Sequence, residues 1–108
     1  MSALVCAALL LAYTRDTQGQ SVAPIAGARP ACAIASQQSV FNGVAYNHIV
    51  SVDNQCSHAV QCVVTTDVNP TPSTLVVSAG AHASTNTFLG SPSRMFVPVV
   101  RCESIRVR

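Results

Sequence analysis

Residues 39–53 read SVFNGVAYNHIVSVD. Asn42-Gly43 stands between two groups of β-formers, Ser39-Val40-Phe41 and Val44-Ala45-Tyr46. An Asn-Gly pair in that setting is the strongest short-range hairpin signal, because a type I′ turn needs positive φ at both central residues. Beyond the turn, Val44, Tyr46, His48, Val50 and Val52 alternate with Ala45, Asn47, Ile49, Ser51 and Asp53. That period of two predicts a strand with its first set of residues facing a core. Tyr46, Phe41, Phe88 and Phe96 are the expected aromatic contribution to that core.

The pattern continues C-terminally. Asp53-Asn54-Gln55 leads into a turn, and Ala59–Thr66 (AVQCVVTT) reads as a strand with Val60, Cys62 and Val64 on one face. Asp67–Ser73 is a loop whose two prolines cannot donate to a ladder. Thr74–Val77 forms a short strand, Ala79-Gly80 turns it, and Ala83–Leu89 reads as a Ser/Thr-rich edge strand. Gly90–Ser93 turns again, and Met95–Cys102 is the last strand, with an edge or bulge expected at Pro98. No helical stripe of useful length interrupts this order. The expected fold is all-β, a small antiparallel sandwich of about six strands. Leu75–Ser84 (LVVSAGAHAS) resembles the strand, glycine turn and strand of bacterial immunoglobulin-like domains. That likeness implies fold class alone.

Ahead of the strands, Ala3–Tyr13 (ALVCAALLLAY) is an apolar run that suits a signal-peptide core and is too short to cross a bilayer. Ala26-Gly27-Ala28 has the small-x-small form of a cleavage site. The expected organisation is a leader and linker over 1–28 and one domain over 29–108. No basic residue precedes the run, which an upstream start codon would explain. A lipid anchor at Cys6 fits poorly, because Leu4-Val5 is not the small pair such an anchor needs.

The chain has five cysteines. One, Cys6, falls in the leader. Cys32, Cys56, Cys62 and Cys102 form an even set behind it, the sequence pattern of a small domain stapled by two disulfides in an oxidising compartment. Secretion to the extracellular space or the periplasm follows as the expected localisation. If Asn42-Gly43 is a two-residue turn, Phe41 faces Val44 and the register carries Cys32 opposite Asp53, with Cys56 just beyond. This favours Cys32–Cys56 and leaves Cys62–Cys102. The rival arrangement is a local Cys56–Cys62 link with Cys32–Cys102.

Chemistry is thin. Zinc sites use close cysteine pairs, whereas five residues separate Cys56 from Cys62 and the others stand farther off. A blue-copper centre needs a histidine after its C-terminal cysteine, and none follows Cys102. His48, His58 and His82 are too far apart in sequence to form a local metal pair. The acids are Asp16, Asp53, Asp67 and Glu103, with Asp53 and Asp67 expected in turns. No G-x-S-x-G elbow is present. All six basic residues are arginine, and a formal charge of +2 gives no case for nucleic acid. Aromatic residues are 5% with no Trp, too few for base or sugar stacking platforms.

The expected function is therefore a secreted, non-enzymatic structural or protein-interaction module. It needs no cofactor, and its partner is an extracellular protein met through the Asp67–Ser73 loop, the Gly90–Arg94 turn or a sheet edge. The alternatives are a small secreted hydrolase or metal-dependent enzyme built on the histidines, and a secreted inhibitor or toxin.

Overall fold

The computed structural model describes residues 24–106. The apolar run and Cys6 lie outside the described residues. Within them the chain forms six strands, β1 Ala33–Phe41, β2 Tyr46–Asn54, β3 Ala59–Thr66, β4 Ser73–Val77, β5 His82–Ser91 and β6 Pro98–Ile105. They make two antiparallel three-stranded sheets, β1-β2-β5 and β4-β3-β6. β5 lies at an edge of its sheet, as its Ser/Thr-rich sequence predicts.

One core joins the sheets. Ala33, Val50 and Val52 from the first meet Val60, Cys62, Val64, Val77 and Val100 from the second, with Phe96 beside them. Alternation sets which residues go inside: along β3 every even position from Val60 to Thr66 is buried. Valine dominates because a β-branched side chain packs well on a pleated surface.

The first hairpin differs from its expected form. Phe41 pairs with Tyr46, not Val44. Glycine alone has positive φ among the described residues, so Asn42 cannot take its part in a type I′ turn. Instead its side chain builds the loop: Asn42 Oδ1 accepts from the Val44 and Ala45 amides at 3.0 and 2.9 Å. The Asn42 amide donates to the Ala45 carbonyl, and Gly43 takes φ +102°. Val44 is thereby lifted out of the strand and is exposed. The slip is two residues, so every side chain still paired in the ladder keeps its predicted face.

Three further expectations change. The last strand begins at Pro98 rather than Met95, because the Val97 amide leaves the ladder and donates to Asp67 Oδ1 at 2.7 Å. β5 runs on through Gly90 to Ser91, carried past the expected turn by register shifts around His48. Phe41 lies inward by parity but is 57% exposed. β1 is an edge strand whose cover thins along its length, from buried Ala33 to exposed Phe41.

Both disulfides lie within single sheets. Cys32–Cys56 joins the chain entering β1 to the chain leaving β2, where the Gln55 amide also donates to the Cys32 carbonyl. Cys62–Cys102 joins directly opposed residues of β3 and β6. The Cys102 amide points away from Cys62, to the Ala28 carbonyl, so the pair is the non-hydrogen-bonded kind in which side chains come closest. Neither bond crosses between sheets, unlike the inter-sheet disulfide of antibody domains. The two sheets are held together by packing and by side-chain hydrogen bonds, such as that from Asn54 Nδ2 on β2 to the Val77 carbonyl on β4.

Candidate interaction pole

Three connections gather at one end of the sandwich: the 42–45 turn, the 67–72 loop and the 92–97 segment. Side-chain hydrogen bonds bring them together. Asn69 Nδ2 donates to the Thr87 carbonyl, and Asp67 holds the Val97 amide. Asn47 Oδ1 accepts from the Gly90 amide and from Asn42 Nδ2. Gln37 Nε2 donates to the Phe96 carbonyl and Ser39 Oγ to the Arg94 carbonyl, which lays 94–96 along the edge of β1.

His48 lies under this pole. It is fully buried on β2, its ring stacked on Phe96 at 4.2 Å and 10°, with Phe88 at 6.1 Å. Nε2 is 2.7 Å from the Ser93 carbonyl, and a carbonyl only accepts, so Nε2 carries the proton. The ring thus ties the 92–97 segment to the sheet while its carbon face fills the core. The other two histidines are elsewhere. His82 starts β5 beside Asp53 at the opposite end, and His58 is in the β2–β3 turn; both are exposed.

Neither expected turn aspartate caps its own turn. Asp53 sits within β2, paired with Ile34 and His82, and Asp67 holds a different segment of chain. Among the described residues no three His, Cys, Asp or Glu side chains group as metal ligands, and the four cysteines are bonded in pairs.

The pole exposes large apolar side chains. Val44 is 89% exposed, Met95 77%, Leu89 65% and Val97 62%, with Phe41 against Tyr46 at 5.2 Å. Arg94 stands exposed between Ser93 and Met95. The composition of the turn at 90–94 gave no hint of this, because Leu89 and Met95 lie in stretches that read as strands. Only the exposed ends of those strands distinguish them from core residues.

Taken together, the molecule is a small all-β protein of two facing antiparallel sheets, disulfide-stapled within each sheet. The chain matches no protein-family model, no curated protein and no solved structure.

Proposed function

We propose that this protein is a secreted, non-enzymatic interaction module, an immunoglobulin-like or related sandwich that meets a protein partner through the pole built by the 42–45, 67–72 and 92–97 connections. The observation that carries the reading is the exposure of Phe41, Val44, Leu89, Met95 and Val97 on the connections and strand ends at one pole of the sandwich. A concentration of large apolar side chains is costly to leave in water and is the usual mark of a contact surface. The loops that present them are pinned by side-chain hydrogen bonds, so little ordering entropy opposes binding. The complementary surface is apolar and carries an acidic group for Arg94.

Two disulfides match an oxidising compartment. The apolar leader supports export. The test is crosslinking of the exported protein in its native extracellular medium, wild type against a combined Phe41→Ser, Leu89→Ser, Met95→Ser variant. Wild type is expected to give one discrete heteromeric product that the variant loses while its Tm holds. Equal crosslinking by both, or none by wild type, overturns the reading.

A further inference from the structure

Residues 25–28 were expected to end the leader, with Arg29 opening the domain, yet the whole segment 25–29 is built into the sandwich. β6 is an edge strand, and its outward amides at Val100 and Cys102 would stand unpaired there. The Val100 amide instead donates to the Ala26 carbonyl at 2.9 Å and the Cys102 amide to the Ala28 carbonyl at 3.0 Å. Ala26 forms a parallel bridge with Val99.

Three side-chain features hold the segment in place. Gly27, at φ +113°, approaches so closely that a Cβ would stand 2.2 Å from the Val100 carbonyl oxygen. That neighbour is backbone and cannot yield, so only glycine fits. Ile25 packs against the core. The Arg29 guanidinium clamps the whole strip: the two N–H groups of Nη1 are shared among the Val100, Ala26 and Gly27 carbonyls at 2.8, 3.1 and 3.1 Å, and Nη2 donates to the Ile25 carbonyl at 2.9 Å. A planar fork with five donors suits this convergence of carbonyls as an ammonium does not.

The geometry points to Ile25–Arg29 as a permanent extended segment of the mature domain that seals the β6 edge, and to leader removal N-terminal to Ile25 rather than after Ala28. A cut after Ala28 would separate Arg29 from three of the four carbonyls it holds and strip β6 of its cover. The position of the cut rests on the export reading above; the sealing of β6 does not.

Two measurements decide it. The first is amide hydrogen exchange on the full chain. The Val100 and Cys102 amides are expected to exchange at least about 100-fold more slowly than an open edge. Gly27→Val is expected to abolish that protection and promote self-association through the bared edge. Arg29→Lys, a milder change, is expected to lower protection by about 10-fold. Fast exchange at both amides in wild type overturns the sealing. The second is N-terminal sequencing of the exported protein. A start N-terminal to Ile25 supports the proposal, and a start at Arg29 with both disulfides formed overturns it. A chain that is never exported sinks the export reading and the cut together, while hydrogen exchange still decides the sealing.

Discussion

His48 and Asn54 lie on the same face of β2, six residues and about 20 Å apart, both fully buried, and each holds the loops of one end of the sandwich. His48 fastens the 92–97 segment through Ser93. Asn54 fastens the other end. Its Nδ2 is within hydrogen-bond reach of the His58, Val77 and Ser78 carbonyls at 2.9, 2.9 and 3.1 Å, and its Oδ1 accepts from the Cys56 amide. Its backbone pairs with Ala81 and Gly80. Between the two, Val50 and Val52 supply apolar core.

Asn54→Ala is expected to cost about 3 kcal/mol or more, since it leaves several buried backbone groups without partners. Asn54→Asp should be no better, because an acceptor replaces the amide donor that faces three carbonyls. Urea unfolding under non-reducing conditions measures both. A loss below about 1 kcal/mol for the alanine variant would show that water replaces the amide freely.

At His48, packing and hydrogen bonding separate by substitution. His48→Phe keeps a ring against Phe96 and forfeits the bond to Ser93, for an expected loss of about 1 kcal/mol. His48→Ala also opens a cavity and should cost about 3 kcal/mol or more. Thermal unfolding of the pair checks the order; equal losses would mean the stack contributes little.

The turn at Asn42 rests on its side chain and on Gly43. Gly43→Ala is expected to lose about 1 kcal/mol, the cost of a left-handed backbone for an L residue, since open space surrounds the position. Asn42→Ala removes an acceptor for two amides and should cost a similar amount. Denaturant midpoints read both. Unchanged stability in Gly43→Ala would mean the loop adopts another form.

The disulfides should reduce in sequence. The Cys62–Cys102 bond has one fully buried end, Cys62, and one half-buried end, Cys102, whereas both Cys32 and Cys56 are half-buried near the entry to the domain. Cys32–Cys56 is expected to open first as reductant rises, read by alkylation and mass. Removing Cys62–Cys102, which closes the longer span of 40 residues, should cost about 4 kcal/mol, against about 3.5 kcal/mol for the 24-residue span. Simultaneous reduction of both bonds would show that the domain opens only globally.

The succession of strands along the chain, the inward faces of β2 and β3 and the all-β class were legible in the sequence, because a period of two and its punctuating Gly, Pro and Asn are local properties of the chain. The boundary of β3 was read to the residue for that reason. Turn type was not legible at Asn42. Whether its side chain serves the loop or its backbone takes positive φ is a competition between two local solutions of similar energy, and the register of β1 on β2 decides it. Leu89 and Met95 both read as strand residues; Leu89 is one, Met95 lies ahead of β6, and both are exposed, because hydrophobicity predicts burial only where something lies opposite.

The sequence by itself determined which residues alternate, where the chain turns and that four cysteines follow an apolar run. Tertiary structure alone decided which of those residues are covered. It placed His48 and Asn54 at opposite ends of one strand face, and it kept both disulfides within their sheets. It also set a small-Gly-small tripeptide, which by its sequence has the form of a cleavage site, against the edge of β6. These depend on which distant segments come together, and contacts between residues some seventy positions apart, such as Arg29 with Val100, leave no periodic trace in the chain.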